Sequence, residues 1–135
     1  MTAPAERMRR GQAARRAGRG AEVLAALFLM AKGYRILGFR LKTPQGEIDL
    51  LARRGRVLAV VEVKRRRSVA EALEAVGPLQ RERLTRAAEA LAARRRALRG
   101  LRIRLDLFAL APGGGARHIE GAWGHARGFA REHDA

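Results

Sequence analysis

Hydrophobic spacing switches period several times along the chain, and each switch marks an element. From Ala21 to Lys32 the sequence AEVLAALFLMAK is apolar over most of a helical circumference, which predicts a buried helix with Gly33 as its C′ residue. Residues 34–42, YRILGFRLK, read as a strand, and Thr43-Pro44-Gln45-Gly46 as a turn. Two apolar runs follow, Ile48 with Leu50 and Leu51, then Val57, Leu58, Val60, Val61 and Val63. Between them lies Ala-Arg-Arg-Gly-Arg, where Gly55 can take the positive φ of a tight hairpin turn.

Ser68 to Val76 is a short, partly helical connection. Pro78 then opens a long helix, with Leu84, Ala87, Ala88, Leu91 and Ala92 as its packed stripe. Leu101 to Leu110 alternates strictly, with Ile103, Leu105, Leu107 and Ala109 on one face and Arg102, Arg104, Asp106 and Phe108 on the other, so it predicts a strand with one wetter face. His118 to Glu120 is a last edge strand and Trp123 a cover for the core. The order helix, three strands, helix, strand, strand predicts an α/β sandwich with a mixed sheet, the fourth strand being reached by a helical crossover.

The hairpin also carries chemistry. With Arg54 and Gly55 as the turn residues, Arg53 stands opposite Arg56, Asp49 opposite Val60 and Glu47 opposite Glu62. An even-length turn of this kind puts Asp49, Glu62 and Lys64 on one face, and an odd one would separate them. Ionised groups among aliphatic residues are costly unless compensated. A divalent cation with a taste for hard oxygen ligands would compensate them, Asp49 and Glu62 being the ligands and Lys64 the group beside it that orients water or stabilises a charged phosphorane. The other reading of the same residues is structural, with the carboxylates paired to the abundant arginines.

Composition sharpens this picture. Lys and Arg number 29 against 13 Asp and Glu, for a formal net charge of +16. A polyanion is the expected partner, through phosphate neutralisation and counterion release, although charge alone does not separate DNA from RNA or a membrane surface. Only Lys32, Lys42 and Lys64 are lysines, so a compact ammonium at Lys64, directly before Arg65, Arg66 and Arg67, is mildly informative. The 135 residues make one domain over 21–125, with a basic arm over 1–20 and a tail over 126–135. There is no cysteine, which excludes disulfides and thiolate metal sites. The longest apolar stretch, Ala21 to Ala31, is interrupted by Glu22 and is too short to span a bilayer, so the expectation is a cytoplasmic protein with no membrane partner. His118, His125 and His133 lack metal-ligand spacing and are taken as non-catalytic. No P-loop and no nucleophile elbow is present.

The strand-turn-strand with Asp49 and then Glu62-Val63-Lys64 resembles the PD-(D/E)xK nuclease signature. In order, Gly20-Ala21-Glu22, Lys32-Gly33-Tyr34-Arg35-Ile36-Leu37, Gly46-Glu47-Ile48-Asp49-Leu50-Leu51, Val61-Glu62-Val63-Lys64 and Arg104-Leu105-Asp106 resemble the YraN-like family, bacterial predicted nucleases of restriction-endonuclease-like fold similar to archaeal Holliday junction resolvases. The resemblance implies a Mg²⁺-dependent (or Mn²⁺-dependent) endonuclease on structured or branched DNA, with Asp49 and Glu62 as metal ligands, Lys64 as the water-positioning group and Glu22 as an additional acid. For Glu22 the alternative is a carboxylate favoured by its helix dipole. Gln80, where the family commonly has lysine, becomes an accessory residue. Arg40, Lys42, Arg65, Arg66, Arg67 and Arg81 are the expected phosphate contacts. The family more often has asparagine and arginine at positions 40 and 42. Asp106 matches a final acidic motif, with pairing to a neighbouring arginine its expected role. A symmetric junction would call for a homodimer. The competing function is a nucleic-acid-binding module that keeps the fold without catalysis.

Overall fold

The computed structural model describes residues 19–124. Helix α1 covers residues 19–31 and is followed by β1 (Arg35–Thr43), β2 (Gly46–Arg54), β3 (Val57–Arg65), α2 (Val69–Glu74), α3 (Pro78–Arg94), a short 3-10 turn at Arg96–Leu98, β4 (Arg102–Leu110) and β5 (Ala116–Ile119). The strands form one sheet in chain order, with β3 and β4 parallel and the other neighbours antiparallel. The parallel pair is joined through α2 and α3, which is the helical crossover the sequence predicts. A five-stranded mixed sheet with helices on both faces is the expected α/β sandwich of restriction-endonuclease-like type.

Two apolar layers sandwich the sheet. On one, Ala21, Ala25, Ala26 and Leu29 of α1 pack on Leu50, Ala52, Ala59, Val61 and Phe108. On the other, Leu84, Ala87 and Ala88 of α3 pack on Ile48, Leu51, Leu58, Val60 and Leu105, with Leu91 and Ala92 alongside, so the predicted stripe faces the sheet. Ser68 caps α2 by accepting the Glu71 amide at 3.1 Å, and Pro78 stands at the start of α3. Gly33, at φ 91°, ends α1 in a Schellman motif: the Tyr34 amide reaches the Leu29 carbonyl and the Gly33 amide that of Met30, each at 3.0 Å.

Four expectations change. Helix α1 is not buried all round, since Val23, Leu27 and Met30 are 53%, 55% and 56% exposed; a helix lying on one face of a sheet has only one side to bury. Arg19 and Gly20, assigned to the basic arm, already belong to this helix. The rest of the arm, the tail over 126–135, His125 and His133 lie outside the described residues. The hairpin turn is Gly55-Arg56 rather than Arg54-Gly55, because Arg54 pairs with Val57. Gly55 is at φ 59° and Arg56 is not at positive φ, the glycine-first pattern of a type II′ turn, and this carries every pair two residues further along β2, which keeps each side chain on its expected face. Finally, the polar face of β4 is not wet. Asp106 and Phe108 are fully buried under α1 and the segment from β5 to Trp123, as side-chain pairing inside the fold replaces water.

Candidate active site

The hairpin geometry brings Asp49, Glu62 and Lys64 together. Backbone pairing of β2 with β3 runs from Arg54↔Val57 to Leu50↔Val61, and continuing that register sets Asp49 directly across from Glu62. The next amide, that of Val63, donates at 3.0 Å to the Asp49 carboxylate (Oδ2), so a side chain takes over where the ladder stops. Glu62 stands between Val61 and Val63, which pack with α1, so its side chain projects from the opposite face. The Lys64 ammonium, two residues on, lies 3.4 Å from Glu62 Oε2. Asp49 and Lys64 are half-buried, and Glu62 is only 4% exposed. Burial, and then the neighbouring Asp49 carboxylate, pushes the Glu62 carboxyl up to about 8, against the smaller opposing pull of Lys64.

Glu22 does not join this pair. Its carboxylate, buried in the first described turns of α1, accepts twice from Arg40 Nε, at 2.8 and 3.1 Å. Among the described residues no group of three acidic or histidine side chains is placed to hold a metal ion. Arg40 lies between the paired rungs Phe39↔Leu50 and Leu41↔Ile48, hence across from Asp49, and its backbone is left-handed at φ 48°. The inside-outside alternation of β2 breaks at the same rung: Ile48 packs with Leu51 on the α3 side, and Leu50 with Ala52 on the α1 side. Left-handed backbone costs an ordinary residue roughly 1–2 kcal/mol and asparagine less, so the asparagine that the resemblance implies at this position would be under less strain than arginine. That strained rung is the feature sequence reading missed; the departure from asparagine at position 40 was its one visible trace.

The remaining candidates scatter around the pair. Arg65, Arg66 and Arg67 are exposed at the end of β3, directly after Lys64. Lys42 is exposed and pairs in register with Glu47, which is exposed as well and so lies outside the acid pair. Gln80 is half-buried in the first turn of α3 and makes no hydrogen bond to the acids among the described residues. Arg81 is half-buried with its guanidinium 5.8 Å from the centre of the Trp123 ring, and its Nε is buried without a hydrogen-bond partner among the described residues. Trp123 itself donates to the Leu73 carbonyl at 3.0 Å and covers the core as predicted.

On the opposite face of the sheet a second buried acid is fully partnered. Asp106 accepts from Arg104 through both oxygens at 2.8 Å, from the Gly121 amide at 3.0 Å, and lies 2.9 Å from His118 Nε2. Burial alone would raise its carboxyl, but the Arg104 fork, the His118 ring and the Gly121 amide together hold it below the usual range. Tyr34 accepts from Arg104 and donates to Glu120, while Lys32 Nζ sits 2.9 Å from His118 Nδ1. The expected pairing of Asp106 with a neighbouring arginine is therefore found, and His118, set aside as non-catalytic, proves to be a buried structural link.

Comparison with known proteins agrees with the motif resemblance. The model of the Uncharacterised protein family UPF0102 matches residues 21–110. A UPF0102 protein of Caulobacter vibrioides (strain NA1000 / CB15N) is 68% identical over 120 residues, covering 89% of this chain and 96% of its own length. A UPF0102 protein of Parvibaculum lavamentivorans is 50% identical over 113 residues, covering 84% of this chain and 85% of its own. The chain belongs to the UPF0102 family, the YraN-like family of the motif resemblance. Among the described residues no helix is long and apolar enough to cross a membrane.

Proposed function

We propose that this protein is a divalent-cation-dependent endonuclease that hydrolyses phosphodiester bonds in structured or branched DNA. The observation that carries the reading is the convergence of Asp49, Glu62 and Lys64 at the point where β2 and β3 stop pairing, with Glu62 buried and matched by one cation, Lys64, among the described residues. A carboxylate pair with one buried and one half-buried member, this poorly compensated, fits a hard divalent cation: two oxygen-donor groups from adjacent strands leave the remaining positions to water and phosphate, as Mg²⁺ prefers. Once bound, Mg²⁺ or Mn²⁺ would supply Lewis acidity and a lowered pKa for water.

The chain's own residues do the rest. Asp49 is held in place by the Val63 amide, and Glu62 gives up the proton that burial favours in order to act as a ligand. The Lys64 ammonium orients the attacking water and offsets charge on the phosphorane. Arg65, Arg66 and Arg67, with Arg40 and Lys42, grip flanking phosphates, consistent with the +16 net charge.

The test is to incubate wild type and an Asp49→Ala/Glu62→Ala double variant with labelled linear, flap, four-way-junction and single-stranded DNA, and with RNA, in Mg²⁺, Mn²⁺ or EDTA. Cleavage that needs the cation and disappears in the variant is the expected result, and the preferred substrate names the structure cut. Cleavage that survives in the variant removes the site assignment. The Glu22–Arg40 ion pair favours a second reading, a binding module without catalysis, because it leaves two acids where the resemblance implies three. That reading requires tight, salt-dependent binding with no cutting under any divalent cation.

A further inference from the structure

The Thr43–Gly46 turn and one face of α3 enclose an open groove of about 470 Å³, lined by Thr43, Pro44, Gln45, Gly46, Arg83 and Arg86. It does not contain the acid pair. It begins three residues before Asp49 on the same strand, about 10 Å along it at roughly 3.3 Å per residue. Gly46 pairs with Thr43 in a register that also sets Leu41 against Ile48, and both of those pack on the α3 side, the face from which Glu62 projects. Groove and acids therefore open to the same side of the sheet.

The wall formed by the turn is rigid. The Thr43 hydroxyl donates to the Gly46 carbonyl at 2.7 Å and accepts from the Gln45 and Gly46 amides at 3.2 and 3.1 Å. The facing wall is cationic. Arg83 and Arg86 are both exposed one helical turn apart, and Arg83 has no side-chain partner among the described residues. Among the described residues Arg86 pairs with Glu82, at 2.9 Å, in a solvent-exposed i,i+4 bridge of the kind that contributes little. Two guanidinium forks facing a neutral wall, with no carboxylate among the described residues that line the groove, suit an oxyanion that accepts two hydrogen bonds at once.

We propose that this groove is a phosphate subsite that holds the nucleic-acid backbone about three nucleotides' rise from the bond being cut, taking about 3.4 Å per nucleotide in a duplex strand. The inference rests on the endonuclease reading for its ligand, but its test does not depend on cleavage. Binding of the full chain to a short labelled duplex is measured in EDTA over 50–200 mM salt for wild type, Arg83→Ala/Arg86→Ala, Arg83→Lys/Arg86→Lys and, as a charge-matched control at the far end of α3, Arg95→Ala/Arg96→Ala. All four arginines are exposed, so the variants are expected to fold, and circular dichroism checks this.

Two lost phosphate contacts should lower the salt slope by about 1.8, so that the wild type loses about 12-fold more affinity than the alanine pair across that range. The lysine pair should keep the slope, and the control should move it less than the alanine pair does. An unchanged slope in Arg83→Ala/Arg86→Ala, or an equal fall in the control, overturns the subsite. Wild type that binds with the expected slopes yet never cuts overturns the endonuclease reading and leaves the subsite standing.

Discussion

Glu62 and Asp106 are buried acids on neighbouring parallel strands, one rung apart, since Asp106 stands opposite Val61. They project from opposite faces of the sheet and live in opposite circumstances. Asp106 is surrounded by a guanidinium fork, a histidine ring and an amide, and its carboxyl is held low. Glu62 has a lysine at 3.4 Å, a second carboxylate across the strand, and a carboxyl pushed up to about 8. Burial penalises both acids equally in kind; what differs is whether the fold supplies the compensating groups. Asp106 is compensated by the chain, so it holds the fold together. Glu62 has one lysine beside it and a second carboxylate across from it, the imbalance on which the proposed cation site rests.

This contrast breaks most easily at Asp106. Asp106→Ala leaves Arg104 and His118 without their buried partner, and removing one side of such a pair costs about 3–5 kcal/mol. Urea unfolding should show that loss, and a loss below about 1 kcal/mol would mean the cluster is ornamental. Next in size, Lys64→Ala should reduce cleavage by about 10²–10³-fold, the scale of one lost charge-stabilising donor, while leaving binding in EDTA near wild type. A fall in binding equal to the fall in cleavage would make Lys64 another phosphate contact.

The pH dependence of stability sharpens the comparison because the two acids carry opposite signs. Between its ordinary value of 4.5 and about 8, folded Glu62 keeps a proton that the unfolded chain has lost. Its contribution is therefore full at low pH and is lost as pH rises through that window, at a slope of no more than about 1.4 kcal/mol per pH unit. In EDTA, Glu62→Gln should unfold at higher urea than wild type at pH 9 and converge with it near pH 5. Folded Asp106 instead titrates below its ordinary value of 3.8, so its contribution is present above that value and disappears as pH falls through the lowered one. Wild type should consequently lose stability towards both ends of the pH scale, and an Asp106→Asn protein should lack the acid arm.

The smallest effect is expected from Arg40→Asn. Relief of the left-handed backbone and loss of the Glu22 ion pair oppose each other, so net stability should stay within about 1 kcal/mol. Released from Arg40, Glu22 should raise divalent-cation affinity, read by calorimetry, if it belongs with Asp49 and Glu62. Unchanged affinity confines it to its own layer.

Periodicity carried most of the fold. The stripe of Leu84, Ala87 and Ala88 is a local fact that tertiary packing left unaltered, and β4 keeps its alternating faces although packing buries both of them over its second half. The shared face of Asp49, Glu62 and Lys64 was legible too, because it depends only on the parity of the hairpin loop. The register was not legible. Arg-Arg-Gly-Arg accommodates glycine as either central turn residue, and both placements give a primed turn that suits the strand twist. Exposure of Val23, Leu27 and Met30 was illegible for a different reason: an apolar helix gives no sign of how many neighbours it will meet. The Asp106 cluster draws Tyr34, Arg104, His118 and Glu120 from four places in the chain, so sequence could suggest only its Arg104 member. The Glu22–Arg40 pair spans 18 residues and needs a backbone conformation that arginine rarely adopts.

The irregular rung at Arg40 has a further consequence. β1 is an outer strand of the sheet, and a flat outer strand offers free amides and carbonyls to any passing chain. Here the strand shifts register between Ile36 and Gly38, turns left-handed at Arg40 and carries Arg35 and Lys42 on its exposed positions. Such an edge resists strand-by-strand stacking, so the distortion beside the acid pair doubles as protection against aggregation in a chain whose sheet is otherwise open to extension on that side.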